Sequence, residues 1–382
     1  TAYEISTRDW SSDVCSSDLT KKKKVNTRTL KYPPTFILSM RDDGIEYNTD
    51  IFRKMITRLG LVETKDATAP TSYLHMHQTA EGRYESKYYK TPTLLMNILA
   101  EDKKVITDKH NLYVNFRGRF PNQCAKYMAK TWNVKHFDNK QFKDKDGNRN
   151  IFIVRPVGIG AYSGKEIAIV ANPKELESAR RKLDKKFPTI IISEYITRPM
   201  LWEGKKFHLR TYLLAKRIND HLTTYFYNVY KVFTAEKPYI EADWNNMEIH
   251  DTHIKSAGKY IEAPRDFDAP TKKLFQTKIW PAMADCMKYV SMLLEGHAKP
   301  YDNAKNAFEV FGCDFMITED YNVKLLEVNE KTGISMESFP ERLDDFSRTY
   351  FGIIRDNVLI PFFQPQNKSK LKYQQPIIYK GK

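Results

Sequence analysis

Two hydrophobic periods run through the chain, the strict alternation of strands and the three-to-four spacing of helices. "TFILSM" (Thr35 to Met40) predicts a short strand, and "NTDIFRKMITRLG" predicts a helix capped at Asn48 or Thr49. Its apolar face is Ile51, Phe52, Met55, Ile56 and Leu59, and Gly60 stops it. "TPTLLMNILAEDKK" predicts a second helix beginning near Thr91, and "NFRGRFPNQCAKYMAKTWNV" a turn entering another. Further on, "IFIVRP", "IAIVAN" and the β-branched "TIIISEYI" predict strands. Between the last two, "NPKELESARRKLDKKF" predicts an amphipathic helix started by Pro173.

After Pro199 the pattern is mainly strand: "KKFHLRTYLLAK", "LTTYFYNVYKVFTA" and the hairpin "DFMITEDYNVKLLEVNE". A long helix near Leu274 to Leu294 lies between the second and third, and "FSRTYFGIIRDNVLIPFF" predicts a helix packing back on the body. The expected class is therefore α/β. The expected division is a disordered or foreign tail over 1–33, an N-terminal α/β domain over 34–110, a central subdomain over 111–199, a C-terminal subdomain over 200–365, and a loosely held basic tail over 366–382. "RDWSSDVCSSDL" is polar, low in complexity and resembles a translated sequencing adaptor, so it is set aside.

Composition narrows the function classes. A chain of 382 residues with 41% hydrophobic and 29% charged content suits a globular protein with a large core. No apolar run reaches the roughly 18 residues of a membrane helix, and no secretory signal is visible. A reducing, cytoplasmic setting is expected, because Cys15, Cys124, Cys286 and Cys313 form no CxxC pair. The net charge of +15 favours a polyanionic partner: nucleic acid, anionic lipid, a nucleotide or an acidic protein tail.

The hairpin carries the first candidate chemistry. Alternation puts Glu327 and Asn329 on one face, and the turn near Asp320 can bring Asp314 alongside. Two carboxylates and an amide oxygen make a hard site suited to Mg²⁺ when phosphates complete it. The competing reading is a polar, solvent-facing side of an edge hairpin. "RPVGIGAYSGKEI" offers Gly158, Gly160 and Gly164 for close approach of an anion, with Arg155 and Lys165 supplying positive charge; a tight turn is the alternative. "GKKFHLRTYLL" puts Lys206, His208 and Arg210 on one face. Such a face is costly to bury without an anion, and otherwise stays exposed.

Taken together, from about Asn48 to Phe363, these segments resemble the tubulin–tyrosine ligase group of ATP-grasp enzymes, with its polyglutamylase and polyglycylase relatives. "KKFHLR" and "FEVFGCDFMITEDYNVKLLEVNE" carry most of the likeness. The resemblance implies an ATP-grasp fold, with nucleotide held between two α+β subdomains. The family's magnesium ligands fall on Asp314, Glu327 and Asn329. ATP-binding positions fall on Arg155, Gly164, Lys165, Glu194, Tyr195, Ile196, Lys206, His208, Thr252 and His253. Arg210 and Lys206 fall on the catalytic strand. Lys231 falls on the arginine that holds the incoming amino acid's carboxylate. His208 replaces an Asp, His253 replaces an Asn, and Glu330-Lys331-Thr332 replaces a Thr-Ser-Pro type motif.

The implied activity is an ATP-dependent carboxylate–amine ligase acting through an acyl phosphate, with ATP and Mg²⁺ as cofactors. Its implied partners are a free amino acid and an acidic protein, the tubulin C-terminal tail being one such segment. A cytoplasmic, cytoskeleton-associated monomer is expected, without a membrane or nucleic acid partner. Two further readings stand beside it. One is an inactive ATP-grasp-like protein that binds nucleotide or an acidic partner, for which His208 and His253 speak. The other is a basic nucleic-acid-binding protein whose 23 tyrosines and 21 phenylalanines stack bases.

Overall fold

The computed structural model describes residues 35–39, 49–64, 72–77, 93–157, 166–252, 262–263, 267–302, 304–330, 351–364 and 375–381. Its frame is a mixed α/β structure with two sheets. The large sheet is built on two long neighbours, β10 (Lys205–Ile218) and β14 (Ala304–Ile317), which pair antiparallel from Leu209↔Phe315 to Arg217↔Ala307. The outer edge of β10 is shared by β11 (His221–Phe226) and β12 (Tyr230–Thr234). The outer edge of β14 is shared by β4 (Thr93–Met96), which runs parallel to it, and β15 (Val323–Asn329), which runs antiparallel.

Through β4 the N-terminal strands join the same sheet. β3 (Ser72–His77) pairs with β4, and β1 (Thr35–Ser39) pairs with β3 and with β2 (Val62–Glu63), all in parallel. The 34–110 segment thus shares a continuous sheet with the C-terminal subdomain, and the expected boundary at 110/111 falls inside a helix, α3 (Lys109–Arg119).

Alternation along β10 and β14 sends their apolar residues to two cores. Leu209, Leu213, Phe311, Cys313 and Phe315 meet Met283, Met287 and Val290 of a helix, α8 (Trp280–Leu294). Tyr212, Leu214, Phe308 and Val310 meet Ile353, Ile354 and Val358 on the other face. The same face continues toward the start of β10 with Arg210 and His208, where apolar cover stops and charge begins.

The second sheet has four antiparallel strands in the order β5 (Thr131–Asn133), β8 (Thr189–Glu194), β6 (Phe152–Val157), β7 (Ala168–Val170). Helix α5 (Pro173–Leu183) covers one face through Leu176 and Leu183 against Phe152, Val154, Ile190 and Ile192. Its start is well specified: Asn172 Oδ1 accepts from Glu175 N (3.0 Å), and Glu175 Oε2 accepts from Ala171 N (2.7 Å). The opposite face carries Ile153 and Arg155 toward the large sheet.

Three expectations change. "TPTLLMNILAEDKK" is not one helix: Thr93–Met96 is strand β4, and helix begins only with a 3₁₀ turn at Glu101–Lys103 that leads into α2 (Lys104–Thr107). Its Leu-rich run fits either period, and pairing between β3 and β14 decides for strand. "LTTYFYNVYKVFTA" is two strands, β11 and β12. The expected loose tail includes a strand, β16 (Ile377–Lys380), paired with β11.

The corner between α2 and α3 is fastened to β14 and β15. Lys103 Nζ donates to both oxygens of Glu309 (2.9 and 3.0 Å), and Leu99 N donates to Glu309 Oε2 (2.9 Å). Both side chains are buried. Removing one partner leaves the other's charge stranded, so Glu309→Ala should lower the unfolding free energy by about 3–5 kcal/mol in urea denaturation. A cost below about 1 kcal/mol would mean that this pair does not hold the corner.

Candidate active site

Cross-strand register assembles the site. Lys231 on β12 is opposite Arg210 on β10, Arg210 is opposite Asp314 on β14, and Asp314 is opposite Glu327 on β15. Directly opposed residues share a face, so two cations and two carboxylates form one row across four strands. Between Asp314↔Glu327 and Phe315↔Leu325 the register shifts, leaving Leu326 as the extra residue of a bulge. That bulge lets Leu325 and Val328 both reach the α8 core while Glu327 faces the row.

Arg210 grips Asp314 with both prongs: Nε donates to Oδ1, and Nη2 donates to Oδ2 at 2.7 Å. Asp314 is 1% exposed. Burial alone would pull the arginine down, but the Asp314 charge outweighs it and the guanidinium is held above its ordinary value. Gly312 makes room for the pair, since a Cβ there would lie 3.1 Å from Arg210 Cδ.

Asn329 Nδ2 donates to Glu327 Oε1 (2.9 Å) and to Asp314 Oδ2 (3.3 Å). The expected magnesium set is therefore brought together, and its donor chemistry of two carboxylates and an amide fits a hard cation. Among the described residues no group of three His, Cys, Asp or Glu side chains could hold a metal. The set would depend on oxygen from elsewhere, as a nucleotide phosphate provides. Lys109, at the start of α3, was not visible in the sequence pattern, yet its Nζ lies 2.5 Å from Glu327 Oε2. No local signal marks it, because the contact depends on how the α2–α3 corner docks.

Facing this row is the inner side of the small sheet. Arg155 Nη2 donates to Ser193 Oγ (3.5 Å), and its buried Nε has no hydrogen-bond partner among the described residues. Burial lowers its pKa, while Glu327 pulls the other way. Lys206 is buried and donates to Tyr195 Oη at 2.6 Å; Tyr195 Oη in turn meets His250 Nδ1 at 2.8 Å, and His250 Nε2 lies 2.8 Å from the Asp243 carbonyl. A carbonyl can only accept, so His250 carries its proton on Nε2 and Tyr195 donates to Nδ1. Burial accordingly lowers His250 and raises Tyr195.

His208 Nδ1 and Thr252 Oγ1 are 2.5 Å apart, and the imidazole stacks on Phe233 at 4.9 Å. Glu194 points away from the row: its carboxylate pairs with Lys130 (3.6 Å). The backbone N–H groups of Glu194 and Tyr195 already donate to Lys130 O and Ile151 O, both at 2.9 Å. Those two N–H groups are thus committed within the small sheet, and Ile196 is half-buried beside them. Glu330 lies on the helix side, accepting from Thr107 Oγ1 at 2.7 Å, so this departure from the family pattern fastens the α2–α3 corner. The expected residues Gly164, Lys165 and His253 lie outside the described residues.

The fold and this row define a mixed α/β, ATP-grasp-like protein. A sequence model of the tubulin-tyrosine ligase family matches residues 83–332, more than half of the chain, which belongs to that family. It is similar to a probable tubulin–tyrosine ligase of Schizosaccharomyces pombe, 26% identical over 190 residues, covering 47% of this chain and 44% of that protein. It is also similar to tubulin glycylase 3D of Tetrahymena thermophila, 26% identical over 248 residues (60% of this chain, 22% of that protein). A tubulin monoglycylase of Homo sapiens is 27% identical over 212 residues (49% and 26%). The chain thus spans less than half the length of these relatives. Among the described residues no helix is long and apolar enough to cross a membrane.

The two buried lysines give the site a pH signature. Burial, then Arg155, lowers Lys206 to about 7; burial, then Arg210, lowers Lys231 to about 7. Unfolded, both titrate near 10.5. Between these values the unfolded chain holds more protons, so each lysine's contribution to stability rises with pH across that window. Lys206→Met and Lys231→Met should each flatten the rise in unfolding free energy between about pH 7 and pH 10. Slopes unchanged from the parent protein would mean ordinary lysines at both positions.

Proposed function

We propose that the chain is an ATP-dependent protein ligase that joins an amino acid to a protein carboxylate through an acyl phosphate. The observation that carries this reading is the Lys231–Arg210–Asp314–Glu327 row, with Lys206 further along the same strand as Arg210 and Arg155 facing it from the small sheet. The nucleotide would lie between the 111–199 and 200–365 subdomains. ATP and Mg²⁺ are the proposed cofactors, with Asp314, Glu327 and Asn329 as the metal's ligands. When bound, Mg²⁺ would neutralise phosphate oxygens.

A carboxylate is a poor electrophile, so it must first be activated. Its oxygen bonds to the γ-phosphorus of ATP as the bond to the β-phosphate oxygen breaks, giving an acyl phosphate and ADP. The amine nitrogen then bonds to the acyl carbon. Phosphate leaves with the carboxylate's oxygen, and the amine loses a proton. The protein contributes positioning and charge. Arg155, Lys206 and Lys165 would hold the phosphates, and Gly164 would let the loop backbone approach them. Arg210, fixed in direction by Asp314, would meet charge developing on the transferring group. Thr252, His253, His208 and the Glu194–Ile196 segment would line the nucleoside. Lys231 would hold the amino acid's carboxylate as a single point of charge, without the fork that arginine offers.

The relatives' names concern tubulin, and the +15 charge of this chain suits an acidic acceptor such as a tubulin tail. The proposed setting is accordingly cytoskeletal.

Mass spectrometry of acidic peptides and tubulin, incubated with ATP, Mg²⁺ and each amino acid, tests the reading. A mass gain of one amino acid residue supports it; no gain with any amino acid contradicts it. Glu327→Gln should abolish ligation, a loss of roughly 3 kcal/mol or more of transition-state stabilisation, with unchanged thermal unfolding. Near-parent turnover would remove Glu327 from the metal site. Lys231→Ala should raise KM for the amino acid far more than KM for ATP; equal effects would remove Lys231 from that role.

A further inference from the structure

Lys109 is placed where a helix alone would not put it. It is the first residue of α3, whose N-terminal dipole disfavours a cation. Asp108 caps that end, accepting from His110 N and Asn111 N at 2.9 Å each. Lys109 itself extends to Glu327, and both side chains are largely withdrawn from water, 22% and 14% exposed. A charge-assisted contact of 2.5 Å in that setting is strong.

Its neighbours complete a pattern. Arg210 donates to both Asp314 oxygens, and Asn329 Nδ2 donates to Asp314 and Glu327. Every one of these three groups turns a donor toward the two carboxylates. A divalent cation requires the same oxygens as ligands, and it requires the oxygen of Asn329 rather than its nitrogen.

We propose that Lys109 is a stand-in cation for the metal. It neutralises Glu327 while the nucleotide is absent, and a divalent cation must displace it. Metal binding is then an exchange of one cation for another, coupled to a turn of the Asn329 amide. The displaced ammonium stays beside Glu327, where an arriving phosphate can accept its hydrogen bonds. The site would thus take metal weakly by itself and better with nucleotide. The corner does not depend on Lys109, because Thr107–Glu330 and Lys103–Glu309 also hold it. This inference rests on the proposed metal role of Glu327.

The test measures Mn²⁺ binding to nucleotide-free protein, from the electron paramagnetic resonance signal of free Mn²⁺. Lys109→Met should tighten binding about three- to tenfold, and Lys109→Gln should do the same. Lys109→Arg, which keeps the charge, should stay near the parent affinity. Glu327→Gln should lose binding in both the parent and the Lys109→Met background. Glu327-dependent binding that is unchanged or weaker in Lys109→Met would overturn the stand-in role and leave the metal reading intact. Binding indifferent to Glu327→Gln would overturn both.

Discussion

Burying an arginine and an aspartate together at the centre of a sheet is tolerable only if each satisfies the other. Arg210 and Asp314 meet that condition with two parallel hydrogen bonds on adjacent long strands. Much else follows from the pair. Gly312 leaves the arginine room, since a Cβ there would come within 3.1 Å of its Cδ. Lys231, opposite Arg210, is pulled toward neutrality by burial and then by that arginine. Glu327, opposite Asp314, places a second carboxylate beside the first and draws in Lys109 and Asn329. Such a row is a poor way to gain stability, because hydrophobic residues would do as well at lower desolvation cost. Its position where the apolar cover of two long strands stops is what a site for charged ligands requires.

The cleft depends on the second sheet, whose inner face brings Arg155, Ser193 and Tyr195 opposite the row. Lys206 joins the two sides by bonding to Tyr195 and, through it, to His250. The ammonium is therefore aimed before any ligand arrives. An anion entering the cleft would find Arg155 Nε without a partner among the described residues, and two lysines close to their titration points. Binding a polyanion there would favour the charged lysines, so charge complementarity is partly created by the ligand.

Much of this could be read along the chain. Alternation placed Lys206, His208 and Arg210 on one face, and parity paired Glu327 with Asn329. The turn after Ile317 brings Asp314 beside them, as β14 and β15 confirm. What could not be read depended on docking. Lys109 meets Glu327 only because Lys103 and Thr107 anchor the α2–α3 corner to β14 and β15. The Leu-rich run at Thr93–Met96 suits helix or strand equally, and neighbouring strands chose. The bulge at Leu326 reverses parity within β15, which alternation cannot anticipate. Glu330, which departs from the family pattern, serves the helix side rather than the cleft.

The central claim is that this row activates an acceptor carboxylate by phosphorylation. The most direct measurement follows the oxygen. An acidic acceptor peptide labelled with ¹⁸O in its carboxylates is ligated in unlabelled water, and the released phosphate is analysed by mass spectrometry. Activation through an acyl phosphate predicts one ¹⁸O atom in each phosphate formed per ligation. Ligation that releases unlabelled phosphate would contradict the account.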